Sequence, residues 1–185
     1  MSADPPMHQC KLEDFFTQKT QGKSEAEILP KLPNSIGIDT ISPSTVALLL
    51  KGDLLIDKFL ILDCRFDYEY EGGHILSAQN TTSKDQVLNL LEGHDWENVP
   101  IIIHCEFSQM RGPAMLKWLR NYDRNQNIEN YPNLTYPELY LMQGGYAEFF
   151  ASNPELCAPC NYVPCNQKKH KRALTQIKKH HKLIM

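Results

Sequence analysis

Residues 99–113 read VPIIIHCEFSQMRGP, and this stretch decides the fold of the 185-residue chain. VPIIIH (Val99–His104) is an apolar run without alternation, the mark of a strand covered on both faces. A short loop follows, and then Gly112-Pro113 starts a helix that runs on through AMLKWLRNYDR. Working outward, FLILD (Phe59–Asp63) and LYLM (Leu139–Met142) read as further buried strands. Upstream, Ser42-Pro43 opens a helix with a capping hydroxyl and a proline at the first helical position, and VALLLK continues it to Gly52. A helix is expected over Lys84–Leu91, and a short one over YAEFF after Gly144-Gly145. DYEYEGGHI reads as a turn, because Gly72-Gly73 is costly inside a regular element. Short buried strands alternating with helices predict an α/β domain, a central parallel sheet flanked by helices on both faces. Ligands in such sheets bind at the carboxyl ends of the strands.

The rest of the chain sets the boundaries. Residues 1–35 carry Pro5, Pro6, Pro30 and Pro33 among polar residues and read as a flexible or loosely docked arm, with a short turn at KLEDFF. Residues 36–165 form the expected domain, and 166–185 a basic tail, KKHKRALTQIKKHHK from Lys168 to Lys182. The 22 acidic and 19 basic residues nearly cancel, so no global field points to nucleic acid. The N-terminus lacks the apolar run of a signal peptide, and no segment approaches the roughly 20 apolar residues of a membrane span. A soluble intracellular protein without membrane or nucleic-acid partners is expected, with its six cysteines as thiols.

Cys105 and Arg111 bracket the loop with five residues between them. Such a loop curls around one tetrahedral anion, with backbone N–H groups inward and a helix N-terminus behind. Those dipoles favour the negatively charged thiolate of Cys105. Arg111 on the first helical turn can grip two phosphate oxygens side by side. Cys105 then attacks phosphorus, a phosphocysteine forms, and water releases phosphate without a cofactor or a metal.

Four blocks in order, ISPSTVALLL, ILDCRFDYEYEGGHI, IIIHCEFS with RGP, and YPNLTYPELYLMQGGYAEFF, resemble the M-phase inducer family of dual-specificity phosphatases. The resemblance covers about Ile38–Pro164. It implies a rhodanese-like fold and removal of phosphate from phosphothreonine and phosphotyrosine of cyclin-dependent kinases in kinase–cyclin complexes, promoting cell-cycle progression into M phase. It also implies Cys105 as nucleophile, Arg111 as phosphate ligand, and Glu106, Phe107, Ser108, Gln109, Met110 and Arg111 as the phosphate-binding loop. Met110 stands where the family has a second glutamate. Glu106 is a candidate proton donor, or it only orients the loop; the substrate itself is another source of the proton.

Cys64 follows FLILD as Cys105 follows VPIIIH, and the resemblance makes it the resolving thiol; the alternative is a buried structural cysteine. Arg65, Glu69 and His74 brace the turn. Arg120 and Arg124 share a helix face. The resemblance makes them, with Tyr131, a kinase-docking surface, against ordinary solvated residues. Cys157, Cys160, Cys165 and His170 have spacings that zinc could use, although no metal is expected. The tail either contacts acidic kinase surface, serves nuclear import, or is simply solvated. A monomer shared between nucleus and cytoplasm is expected. Two rivals remain: an arsenate reductase of the same fold, and a decayed phosphoprotein-binding scaffold.

Overall fold

The computed structural model describes residues 28–33, 37–92 and 94–166. The expected turn at KLEDFF, nearly all of the basic tail and His170 lie outside these residues. The elements run β1 (Thr40–Ile41), α1 (Pro43–Lys51), β2 (Leu60–Asp63), α2 (Asp67–Glu71), β3 (His74–Ile75) and β4 (Gln79–Asn80). They continue with α3 (Lys84–Glu92), β5 (Ile101–His104), α4 (Arg111–Gln126), β6 (Leu139–Met142), α5 (Gly145–Ser152) and β7 (Cys157–Ala158).

β2, β5 and β6 are buried at every position, and alternation of side chains across a strand explains why each is apolar throughout. Ile61, Ile102, Tyr140 and Met142 pack on one face with Val46 and Leu49 of α1 and Phe149 of α5. Leu60, Leu62, Ile101, Ile103, Leu139 and Leu141 pack on the other with Val87 and Leu91 of α3 and Leu116 and Leu119 of α4. The sheet is parallel, in the order β1-β6-β5-β2-β4, so β5 and its loop occupy the centre. α1 begins as expected, with Ser42 Oγ accepting from Thr45 N at 3.1 Å.

Three expectations change. DYEYEGGHI is not a plain turn: DYEYE is helix α2, and His74–Ile75 pairs antiparallel with Cys157–Ala158. The glycines end the helix rather than exclude one. The sheet has five strands rather than three, because β1 and β4 are two-residue strands too short to show a pattern. The packed part also begins before Ile36. Leu29 is 1% exposed within the first face, its N–H donates to Tyr140 Oη at 3.3 Å, and Leu32 bridges to Thr40.

Beneath the carboxyl end of β2 and β5 sits a fully buried charged network. Arg65 Nη2 lies 2.6 Å from Asp63 Oδ2, donates to Gly73 O at 2.8 Å, and its guanidinium stacks 3.8 Å from the Tyr146 ring centre. His104 Nε2 is 3.8 Å from Asp63 Oδ2. Burial raises the Asp63 carboxyl, but His104 and Arg65 more than offset it and hold it below the ordinary value of 3.8. Burial pushes the His104 imidazole below its ordinary value although Asp63 opposes this, so Arg65 is the lasting counter-charge. Removing one partner of such a pair strands the other in the interior.

Asp63→Ala is therefore expected to lose about 3–5 kcal/mol in urea unfolding. In the parent, the carboxyl's contribution is present above its unfolded value and is lost as pH falls through the lower folded value. The variant's acid-unfolding curve should lack that component.

Candidate active site

The loop between β5 and α4 is shaped by what its carbonyls do. Tyr146 N donates to Cys105 O at 2.9 Å, and Ala147 N donates to Glu106 O at 3.0 Å. In a trans peptide the C=O and the next N–H point in opposite directions. Pulling these two carbonyls toward α5 therefore turns the amides of Glu106 and Phe107 to the other side. The backbone N–H groups of Glu106, Phe107, Ser108, Gln109 and Met110 find no acceptor among the described residues. A run of unpaired amides leading into a helix is the arrangement that binds anions.

Two glycines permit this closeness. Gly145 has φ +60°, and a Cβ there would collide with Cys105 O and reach 2.7 Å from Glu106 O. At Gly112 a Cβ would sit 3.3 Å from Cys105 N, so α4 starts directly against the loop. Side chains divide accordingly. Cys105, Glu106 and Ser108 are buried, whereas Phe107 is half exposed and Met110 largely exposed.

Arg111 lies on the first turn of α4 as expected, and its partner is a residue that the sequence reading placed only as a brace. Arg111 Nη1 and Nη2 donate to Glu69 Oε2 and Oε1 at 2.5 and 3.1 Å, and the guanidinium lies 4.7 Å from the Phe66 ring centre. Burial alone would lower the Arg111 pKa, but the Glu69 hydrogen bonds and charge raise it above its ordinary value. Glu69 itself is fully buried and also accepts from Phe66 N at 3.0 Å. Nothing in local spacing signals this partnership, because Glu69 and Arg111 are 42 residues apart.

Glu106 is bonded to the segment that follows β7. Its Oε1 accepts from Tyr162 Oη at 2.6 Å and from Cys165 N at 3.2 Å, with Arg111 Nη2 3.8 Å from Oε2. That bonding favours the orienting reading over the proton donor. Cys64 N donates to His104 O at 2.8 Å, and Asp63 and His104 are register partners. Cys64 and Cys105 thus end neighbouring strands about 4.8 Å apart, within the roughly 4.4–6.8 Å Cα separation of a disulfide. Both are free, and burial, then the nearby Asp63 and Cys105, push the Cys64 thiol well above its ordinary value.

Other residues diverge from the site. Arg120 spends its guanidinium on the carbonyls of Tyr136 and Pro137, both at 2.7 Å, and on Asp123 at 3.3 Å. This braces the approach to β6; Arg124 and Tyr131 are exposed. The spacing that zinc could use includes His170, which lies outside the described residues. Cys157 is buried, its thiol pushed up to about 11 by burial, and Cys160 is exposed. Cys165 Sγ instead lies within 4.8 Å of carboxylate oxygens of Glu69 and Glu106.

Fold and loop define a class: a parallel α/β domain with a cysteine-centred anion cradle at the end of its central strand. The chain belongs to the rhodanese-like domain family, whose profile matches residues 43–152. Among its relatives, an M-phase inducer phosphatase from Emericella nidulans is 36% identical over 178 residues, 93% of this chain and 32% of that protein. M-phase inducer phosphatase 3 of Bos taurus is 44% identical over 146 residues, 75% of this chain and 30% of that protein. The chain therefore spans about a third of the length of these curated relatives. A solved yeast protein tyrosine phosphatase of the rhodanese family shares the fold, with a TM-score of 0.52 at 20% identity over 68% of this chain and 93% of that one.

If Glu69 fixes the clamp, Glu69→Gln keeps the Phe66 bond but loses the charge that holds Arg111. Its kcat/KM for p-nitrophenyl phosphate is expected to fall about tenfold to a hundredfold, with circular dichroism unchanged.

Proposed function

We propose that this chain is a cysteine-dependent, dual-specificity protein phosphatase that removes phosphate from phosphotyrosine and phosphothreonine of cyclin-dependent kinases in their cyclin complexes and so promotes the onset of M phase. One observation carries the reading: the amides of Glu106 to Met110, in the loop directly after Cys105, have no acceptor among the described residues, and Arg111 opens the helix that follows. The extended similarity to M-phase inducer phosphatases supports the substrate class. Action as a monomer in nucleus and cytoplasm, with Arg120 and the exposed Arg124 and Tyr131 meeting the kinase, belongs to the same proposal.

The chemistry follows from the geometry. The phosphate oxygens take the loop amides and two Arg111 donors, neutralising charge where it develops. The Cys105 thiolate attacks phosphorus in line as the bond to the leaving oxygen breaks. Glu106 is held by Tyr162 and Cys165, so the leaving oxygen takes its proton from the substrate's own phosphate monoanion. Water then attacks the phosphocysteine, returning the thiolate and free phosphate. Met110, exposed at the loop's end, contributes no carboxylate to either step.

Cys64 adds a redox role. Peroxide oxidises the Cys105 thiolate to a sulfenic acid, and the Cys64 thiol displaces water from it to form a disulfide that external thiol reverses.

Wild type is expected to release phosphate from both residues of a doubly phosphorylated kinase–cyclin complex, while Cys105→Ser binds the complex without turnover. Equal activity of the two, or reduction of arsenate with thiols in place of hydrolysis, would overturn the reading. Separately, peroxide-treated wild type should regain most activity with dithiothreitol, whereas Cys64→Ser should lose it irreversibly; equal recovery in both rejects the resolving role.

A further inference from the structure

Arg111 has donors that Glu69 does not use. Glu69 accepts from Nη1 at 2.5 Å and from Nη2 at 3.1 Å, and each of these nitrogens carries a second N–H. The remaining donors are the ones open to a phosphate. A second carboxylate stands beside them. Glu106 Oε2 lies 3.8 Å from Arg111 Nη2, near enough to be attracted and too far for a hydrogen bond. Glu106 and Arg111 belong to one short stretch of chain, so this carboxylate is a tethered anion at high effective concentration. Its other oxygen is what holds it back. Oε1 accepts from Tyr162 Oη at 2.6 Å and from Cys165 N at 3.2 Å. Burial, and then the Glu106 carboxylate, raise the Tyr162 phenol above its ordinary value, so it stays protonated and donates. The segment that carries Tyr162 is also seated independently of Glu106. Asn161 O accepts from Tyr146 Oη at 2.8 Å, Asn161 Nδ2 donates to Gly72 O at 2.8 Å, and Cys165 O accepts from Tyr68 Oη at 2.7 Å.

We propose that Tyr162 is a positioning residue of this site: its hydroxyl holds the Glu106 carboxylate back from Arg111 and so keeps the guanidinium open to phosphate. The proposal rests on the phosphatase reading and names an internal competitor for its clamp. Without the hydroxyl, Oε1 keeps only the Cys165 amide, and Glu106 closes the short gap to Nη2. Arg111 is then bridged between two carboxylates. The free enzyme divides between an open clamp and an occupied one, and a phosphate ligand binds only the open fraction. Apparent affinity falls by that fraction, whereas the bound complex, from which Glu106 has been displaced, reacts as before. The effect therefore belongs to KM and to inhibitor binding, not to kcat. The Tyr162 ring packs against Tyr146 and Phe150, at 5.9 and 6.2 Å between ring centres. Phenylalanine keeps that packing and deletes only the donor.

Tyr162→Phe is expected to raise KM for p-nitrophenyl phosphate about tenfold and to weaken orthovanadate inhibition about tenfold, with kcat within about twofold of wild type. That is the scale of one hydrogen bond to a charged group. Glu106→Gln, which cannot neutralise Arg111, should return both KM and orthovanadate inhibition to near the wild-type values when added to Tyr162→Phe. A merely structural role of Tyr162 would give no such rescue. KM and inhibition within about twofold of wild type in Tyr162→Phe would overturn the proposal. So would a defect that persists undiminished in the double variant, or one that falls on kcat alone. Calorimetric binding of inorganic phosphate to Cys105→Ser, with and without Tyr162→Phe, reads the clamp without turnover. About tenfold weaker binding supports the proposal, and unchanged binding rejects it. An inert wild type would defeat the phosphatase reading alone, since the calorimetric arm still decides the clamp.

Discussion

The site depends on two hydrogen bonds that never touch a ligand. The first amides of α5 accept no anion; they hold the carbonyls of Cys105 and Glu106. Because peptide units are rigid, those two bonds decide which way the next amides face. They exist only because β6 lies beside β5, so that the helix after β6 starts against the loop after β5. Gly145 is required for the same reason, since a side chain there would push the loop carbonyls away. The cradle is thus a consequence of strand order, and the start of α5, beside the loop, is committed to shaping it.

A second layer fixes the charges. The segment from Asp63 to Gly73 supplies a carboxylate to each of two arginines, Asp63 to Arg65 and Glu69 to Arg111. Each guanidinium also covers an aromatic face, Tyr146 at 3.8 Å and Phe66 at 4.7 Å. Planar, delocalised charge suits both contacts at once, which an ammonium would not. The deeper pair is wholly buried and ties β2 to α5; the shallower pair, whose arginine is 23% exposed, faces the loop. One segment therefore stabilises the fold beneath the loop and orients the clamp beside it.

The sequence made the central architecture readable where physics leaves a local trace. Uninterrupted apolar runs gave β2, β5 and β6, and Ser42-Pro43 gave α1, because burial on both faces and helix capping are local demands. Cys105 and Arg111 were legible because loop length, residue type and helix start coincide. β1 and β4 left no trace, since two residues cannot display a period, and Gly72-Gly73 masked the five-residue helix before it. Glu69, Tyr162 and Cys165 could not be placed at the site from local spacing. Their relation to the loop is set by tertiary packing across 42 to 59 residues. Likewise, spacing within the segment from Cys157 to Cys165 does not reveal that Cys165 turns toward Glu106 while Cys157 is buried.

It is initially odd that a cradle for an anion keeps two buried carboxylates. Each is committed, however. Glu69 bonds Arg111 and Phe66, and Glu106 bonds Tyr162 and Cys165, so their charge is spent on fixing donors in place. Their residual field weakens attraction for phosphate in substrate and product alike. A catalyst loses little by that, because tight binding of the ground state does not speed the chemical step. What it needs is donors already aimed when charge spreads over the equatorial oxygens, and a guanidinium held in place beforehand needs no reorganisation then. On this view the carboxylates trade affinity for orientation. With Met110 at the rim, that trade is made wholly by buried groups, which salt screens least.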